Sequence, residues 1–177
     1  MTAFELSVLD ALQGVRCGFL DTFFSTITHL GDAGIFWILL TLALLCTKKY
    51  RRAGVAMACA LVLDLICCNI VLKPLVARVR PFDMREVELL VARPRDWSFP
   101  SGHAAASFTA VGALYASGEK LWRPAAVLAL LIAFSRLYLY VHYPTDVLVG
   151  IALGTVLGFA GQRLAAWAQT RLKARRA

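Results

Sequence analysis

The sequence predicts an all-α fold, a bundle of membrane-spanning helices formed by one domain that covers residues 1–177. Three observations predict it. Hydrophobic residues make up 59% of the 177 residues, the mean hydropathy is +0.67, and the apolar residues are concentrated in long runs separated by short charged segments. A composition this apolar is atypical of soluble enzymes and typical of integral membrane proteins.

Five apolar runs are predicted to be membrane spans. A helix needs about 20 predominantly apolar residues to cross the hydrocarbon core of a bilayer. The shorter runs reach this length when their mildly polar flanks are included. In chain order, the five predicted spans are Ala33–Thr47, Ala53–Leu72, Ala104–Ser117, Pro124–Val141 and Val147–Ala168.

The first thirty residues differ from these runs because charged residues interrupt them. Four apolar residues nevertheless recur at helical spacing: Phe4, Val8, Leu12 and Val15. This pattern predicts an amphipathic helix in the membrane interface, continuing through residues 19–24 into the first span. A sixth span is the alternative, but it would carry Asp10, Arg16 or Asp21 through hydrocarbon at a cost of a few kcal/mol each. The sequence shows no signal-peptide pattern.

The net charge of +8 indicates membrane topology rather than a nucleic-acid partner. The basic residues fall between the first and second spans, between the third and fourth, and after the fifth. They are Lys48, Lys49, Arg51, Arg52, Lys120, Arg123, Arg163, Arg171, Lys173, Arg175 and Arg176. With five spans, all three groups lie on one side, which the positive-inside rule makes cytoplasmic. The C-terminus is therefore predicted to be cytoplasmic, and the connections 73–101 and 140–145 extracytoplasmic.

Three polar clusters occur where apolar runs end, within residues 73–81, 100–103 and 135–146. They contain fixed cations, two histidines, a carboxylate and a glycine at a predicted helix start. These groups are the ones needed for phosphoryl transfer through a histidine nucleophile. The predicted topology places all three clusters on the extracytoplasmic side, so they are expected to form one site.

The clusters read K-x6-R-P, P-S-G-H and S-R-x5-H-x3-D. In order and spacing they resemble the three signature motifs of the type 2 phosphatidic-acid phosphatase superfamily, and no signature position departs from that pattern. The resemblance covers about residues 73–146. It implies a phosphatase that uses neither metal nor cofactor. Bacterial members, which this compact chain resembles, act on undecaprenyl pyrophosphate, phosphatidylglycerophosphate or phosphatidic acid.

Within these motifs, His142 is the predicted nucleophile, whose neutral imidazole attacks phosphorus and forms a phosphohistidine that water hydrolyses. Asp146 can accept the other ring N–H and fix the tautomer. His103 is the predicted general acid that protonates the leaving oxygen. Ser101 and Gly102 are predicted to bind phosphate at the start of the next helix. Ser101 suits its N-cap, and Gly102 permits close backbone approach to an anion at the free N–H groups of the first turn.

Three cations, Lys73, Arg80 and Arg136, are predicted to bind the nonbridging phosphate oxygens, the arginines in bidentate geometry and the lysine as a point charge. Arg136 lies inside an apolar run, where an unpaired charge is costly, so a buried partner is expected. Asp64 and Asn69 are predicted to support Lys73 from a second layer. Interhelical packing is the alternative role for these two residues.

The predicted function is therefore that of a membrane enzyme that hydrolyses a lipid phosphomonoester or pyrophosphate. The three histidines of the chain have no carboxylates at a known metal-ligand spacing, so no metal is expected. A vanadate-dependent haloperoxidase would use a similar oxyanion cradle, but on a larger, soluble fold. A non-catalytic lipid-phosphate transporter or binding protein would need the cations and the membrane, but not both histidines and Asp146. The lipid and the oligomeric state stay open.

Overall fold

The computed structural model describes residues 2–174, and every regular element in that range is helical, which confirms the all-α prediction. Arg175 and Arg176 of the predicted basic tail lie outside the described residues. The elements are α1 (Thr2–Gln13), α2 (Gly18–His29), α3 (Ile35–Cys46), α4 (Arg51–Asp64), α5 (Lys73–Val76), α6 (Pro81–Met84), α7 (Gly102–Ala116), α8 (Trp122–Tyr138) and α9 (Pro144–Ala174). A π-helical stretch, Leu65–Leu72, joins α4 to α5.

Within residues 2–174, two helical stretches are long and apolar enough to cross a membrane, namely Arg51–Met84 and Pro144–Leu172. A third candidate is the pair α2 and α3, which is bent by 43° at the break between the two helices. With 15 and 17 residues, α7 and α8 are shorter than the roughly 20 residues of a full span. The helices are thus those of a membrane protein with two to three long apolar spans, and the predicted count of five is not confirmed.

The N-terminal region is not the continuous helix predicted from its apolar stripe. The chain breaks at residues 14–17, between α1 and α2, and again at residues 30–34, before α3. At the second break, Ala33 and Gly34 both have positive φ angles, 50° and 67°. Glycine adopts this conformation without steric cost, so the sequence ends the helix there rather than carrying it into the next one.

Helix α1 buries only part of its apolar stripe. Phe4 is 73% exposed, whereas Leu12 packs beside the buried Leu6 and Leu9. An exposed aromatic side chain such as Phe4 suits the membrane interface. The buried face instead brings a carboxylate, Glu5, into the interior.

The bundle is held by close contacts between α9 and its neighbours α7 and α4. Gly154 and Gly158 have no room for a side chain, because a Cβ on Gly154 would lie 2.2 Å from the carbonyl oxygen of Ala105 in α7. A Cβ on Gly161 would lie 2.4 Å from Cα of Ala60 in α4. Small residues allow helix backbones to approach this closely in membranes. The packing fixes the start of α9 against the start of α7, where the polar clusters lie.

We expect Gly154→Ala to lower the thermal unfolding temperature of the protein in detergent. The added methyl group overlaps a backbone oxygen, so helices must separate, and overpacking of this kind costs about 1–3 kcal/mol. The matched control is Gly18→Ala, where a Cβ would meet nothing within 4 Å. Equal unfolding temperatures for the two variants would contradict the proposed role of the α7–α9 contact.

Candidate active site

The three polar clusters meet at one end of the bundle, around a cavity of about 260 Å³. Six of the predicted site residues line it: Lys73, Arg80, Gly102, His103, Arg136 and His142. They come from α5, the residue before α6, the first turn of α7, the last turn of α8, and the turn between α8 and α9. Residues that are far apart in the sequence therefore face one enclosed space.

His142 reaches the cavity because the chain reverses sharply after α8. Tyr140 has a φ angle of 60°, and the backbone N–H groups of Val141 and His142 both donate to the carbonyl oxygen of Arg136, at 3.2 and 3.3 Å. A left-handed conformation at a non-glycine residue is energetically unfavourable and is often found at functional sites. This turn brings His142 next to the guanidinium of Arg136.

The imidazole of His142 is almost fully buried, and its Nδ1 lies 3.5 Å from Oδ2 of Asp146 but makes no hydrogen bond with any described residue. Its Nε2 lies 3.3 Å from Nη1 of Arg80. Burial, and after it the positive charges of Arg80, Arg136 and Lys73, keeps the pKa of His142 well below its ordinary value. The imidazole is therefore neutral, which is the nucleophilic form.

The carboxylate of Asp146 is held by donors from three parts of the chain. Ser98 Oγ donates to its Oδ2 at 2.5 Å, and the backbone N–H of Tyr143 donates to the same oxygen at 3.0 Å. Nη1 of Arg78 donates to Oδ1 at 2.5 Å. With both oxygens fixed, the carboxylate cannot turn away from the His142 ring.

A network that the sequence did not predict connects Asp146 to the N-terminal helix. Arg78 also donates to Oε2 of Glu5 at 2.6 Å, and its guanidinium lies 3.8 Å from the centre of the Tyr143 ring. Thr145 Oγ1 donates to the other oxygen of Glu5 at 2.5 Å. One arginine thus pairs with two buried carboxylates, and α1 supports the start of α9 through Glu5.

A second residue that the sequence did not predict, Asp96, forms ion pairs with two of the three predicted phosphate-binding cations. Arg80 donates from Nη2 to Oδ1 of Asp96 at 2.6 Å, and Lys73 pairs with the other carboxylate oxygen. Burial raises the pKa of Asp96, but the ion pairs with Lys73 and Arg80 lower it further, to about 2. Asp96 is therefore ionised at neutral pH and holds both cations at the cavity wall.

Arg136 has a buried partner, as its apolar surroundings predict, but this partner carries no charge. The guanidinium is 4% exposed and donates to Thr28 Oγ1 in α2. Its Nε has no hydrogen-bond partner among residues 2–174. An unpaired buried cation is unfavourable, so this side of the cavity is suited to an anion.

The start of α7 is also open to an anion. Ser101 is the N-cap residue, as predicted, but its side chain makes no capping hydrogen bond. Instead its backbone N–H donates to the carbonyl oxygen of Asp146 at 3.0 Å. A Cβ on Gly102 would lie 3.2 Å from Oδ1 of Asn69 and 3.7 Å from Nζ of Lys73, so only glycine leaves that space open.

The supporting role predicted for Asp64 and Asn69 stays a prediction. In the described chain neither side chain makes a hydrogen bond with Lys73, which pairs with Asp96 instead. Asn69 lies beside Gly102, and Asp64 is buried deeper in α4, with Oδ1 unpartnered among the described residues.

A second, larger cleft of about 640 Å³ adjoins the cavity. The two spaces share Lys73, Asp96, Gly102 and His103. The walls of the larger cleft are mainly apolar side chains of α3, α4 and the π-helical stretch: Ile38, Leu42, Leu45, Leu61, Val62 and Leu65. A phosphate bound in the small cavity could therefore carry an apolar substituent into the cleft.

Comparison with known proteins gives one family. A profile of the PAP2 superfamily matches residues 49–170. The chain is 36% identical over 125 residues to an undecaprenyl-diphosphatase from Sulfolobus acidocaldarius, covering 70% of this chain but only 60% of that relative. The crystal structure of Aquifex aeolicus LpxE superposes with a TM-score of 0.77 at 31% identity, over 89% of this chain and 94% of that one.

A transmembrane PAP2-type phosphatidylglycerolphosphate phosphatase from Bacillus subtilis also superposes, with a TM-score of 0.75 at 28% identity, over 92% of this chain and 84% of that one. These similarities agree with the resemblance inferred from the three motifs.

We expect Arg78→Met to lower the free energy of unfolding by about 3–5 kcal/mol, because it leaves two buried carboxylates without their cation. Thermal unfolding in detergent measures the loss. The double variant Glu5→Gln/Arg78→Met should recover part of it, since one of the two unpaired charges is then removed. The matched control is Arg85→Met, at an exposed position. If Arg78→Met unfolded at the wild-type temperature, the Glu5–Arg78–Asp146 network would have no stabilising role.

Proposed function

The chain belongs to the PAP2 superfamily, and we propose that it hydrolyses the terminal phosphate of a lipid phosphomonoester or pyrophosphate. One observation carries the proposal. The cavity that contains the three predicted phosphate-binding cations and the two predicted catalytic histidines shares a wall with an apolar cleft of about 640 Å³. A phosphate cradle joined to an apolar cleft suits an amphiphile better than a soluble phosphate ester.

In the proposed reaction, Nε2 of His142 attacks phosphorus, since Nδ1 faces Asp146. An N–P bond forms while the bond between phosphorus and the leaving oxygen breaks, and His103 gives that oxygen a proton. Asp146 stabilises the ring as it becomes positively charged. Water then attacks the phosphohistidine, His103 takes its proton, and inorganic phosphate leaves.

Lys73, Arg80 and Arg136 stabilise the charge that develops on the nonbridging oxygens, together with the free N–H groups at the start of α7. Because these donors are held by the surrounding structure, they need little rearrangement during the reaction. Nη1 of Arg80 also contacts Nε2 of His142, and this contact must be released when the lone pair of that nitrogen attacks phosphorus.

The substrate class follows from the adjoining cleft and from the relatives. We propose undecaprenyl pyrophosphate, phosphatidylglycerophosphate and phosphatidic acid as candidates, because each has a terminal phosphate attached to an apolar chain. The first two match the substrates for which the Sulfolobus acidocaldarius and Bacillus subtilis relatives are named.

We also propose five spans in one domain, made by α3, the continuous α4–α5 stretch, α7, α8 and α9. The loops 47–50 and 117–121 lie at the end of the bundle opposite the cavity, and they contain Lys48, Lys49 and Lys120. By the positive-inside rule this end is cytoplasmic. The active site is then extracytoplasmic, at the membrane surface, and the C-terminus is cytoplasmic.

The proposed function predicts that purified protein releases inorganic phosphate from at least one of the three lipids in excess chelator. The lipids are compared at equal detergent mole fraction. His142→Ala should abolish release while orthovanadate still binds, because the cations remain; vanadate binding by calorimetry and thermal unfolding serve as folding controls. Lipid binding without phosphate release by the wild type would favour a transporter or binding protein. Residual turnover of a few per cent in His142→Ala would exclude His142 as the nucleophile.

The proposed orientation predicts that a membrane-impermeant thiol reagent labels Glu88→Cys in intact cells but labels Lys120→Cys only after permeabilisation. Both positions are exposed, and the five native cysteines are first replaced by alanine or serine. The opposite labelling pattern would put the active site in the cytoplasm.

A further inference from the structure

A second histidine–carboxylate pair lies across the cavity from His142 and Asp146. Asp32 is in the short turn between α2 and α3, and its Oδ1 lies 3.0 Å from Nε2 of His103. Its Oδ2 lies 2.7 Å from Nδ1 of His29. Asp32 therefore connects the predicted general acid to a histidine at the protein surface. The sequence motifs do not include Asp32 or His29.

The same turn also fixes the position of the His103 ring. A Cβ on Gly31 would lie 2.5 Å from Cδ2 of His103 and 3.0 Å from Cγ2 of Ile132 in α8. The imidazole thus packs directly on the backbone of Gly31. Adjacent residues provide the two constraints, since Gly31 makes room for the ring and Asp32 holds one of its nitrogens.

The charges around His103 show why it needs a carboxylate. Three cations that line the cavity with His103 are Lys73 from α5, Arg80 before α6 and Arg136 from α8. The other titratable groups lining the cavity are His29, Asp32, Asp96, His142 and Arg93, the last of which pairs with Asp83. The cations oppose a second proton on the ring. Asp96 is engaged by Lys73 and Arg80, so Asp32 is the carboxylate that contacts His103 itself.

We infer that Asp32 is the positioning residue of the general acid, an inference that rests on the proposed function. It accepts the Nε2–H of His103 and leaves Nδ1 to deliver a proton to the leaving oxygen. Its negative charge acts against the repulsion from the cations and so favours the second proton that a general acid must carry. His29 holds the other oxygen of Asp32 and thereby fixes the orientation of the carboxylate.

The test compares Asp32→Asn with wild type on two substrates, phosphatidic acid, whose alkoxide leaving group needs protonation, and p-nitrophenyl phosphate, whose leaving group does not. We expect kcat on phosphatidic acid to fall by at least about 10-fold, with little change on the aryl phosphate and little change in KM. Removing the carboxylate disfavours the protonated ring, so the alkaline limb of the kcat–pH profile on the lipid should move to lower pH.

Asp32→Glu keeps the charge and should recover part of the lost kcat. Glu86→Gln is the matched control, because it removes an exposed carboxylate remote from the cavity lining, and it should leave both activities unchanged. Gly31→Ala, which displaces the ring while Asp32 remains, should reproduce the loss that depends on the leaving group. Unfolding temperature and vanadate affinity show that each variant is folded.

Three results would overturn the role of Asp32. They are an equal loss of kcat on the two substrates, a kcat–pH profile whose alkaline limb does not move, and an Asp32→Asn variant that is faster than wild type. These results are distinct from failure of the proposed function, in which wild-type protein releases no phosphate. A wild-type enzyme that turns over both substrates, beside an Asp32→Asn variant identical to it, would refute only the inference about Asp32.

Discussion

The site depends on balancing positive charge that is buried at the end of an apolar bundle. Arg78 forms ion pairs with Glu5 and Asp146, and Asp96 forms ion pairs with both Lys73 and Arg80. Arg136 is different, because the only hydrogen-bond partner of its guanidinium among the described residues is the neutral hydroxyl of Thr28. The balance is therefore incomplete on the side of the cavity that Arg136 lines. A bound phosphate would supply the missing negative charge, and donors already fixed in place stabilise the transition state most effectively.

The convergence of the three clusters could be predicted because each cluster is short and lies at the end of an apolar run. Hydropathy and charge bias then place all of them at one side of the membrane. The carboxylates that organise the site could not be predicted in this way. Glu5 is 73 residues from Arg78, and Asp32 is 71 residues from His103. Such contacts arise from tertiary packing, and neither periodicity nor local spacing in a single sequence indicates them.

In the fold, too, the features that depend on local sequence could be predicted and those that depend on tertiary packing could not. The apolar runs predict where α3, α4, α7, α8 and α9 lie, but not the breaks around α2, which depend on backbone conformations at residues such as Ala33 and Gly34. One sequence pattern that indicates helix packing was not used in the prediction. Gly150, Gly154 and Gly158 recur every four residues on one face of α9. That spacing favours close helix packing in membranes, and it holds the start of α9 against the start of α7.

The two histidine–carboxylate pairs differ in a way that fits different chemical tasks. Asp146 is completely buried and receives hydrogen bonds on both oxygens, so His142 stays in one orientation and one protonation state, as a nucleophile requires. The Asp32 side chain is half exposed, and it connects His103 to His29 at the surface. A general acid must change its protonation state twice in each turnover, which is easier beside water than in a sealed interior. The environments of the two carboxylates, rather than the histidines themselves, therefore distinguish the nucleophile from the acid.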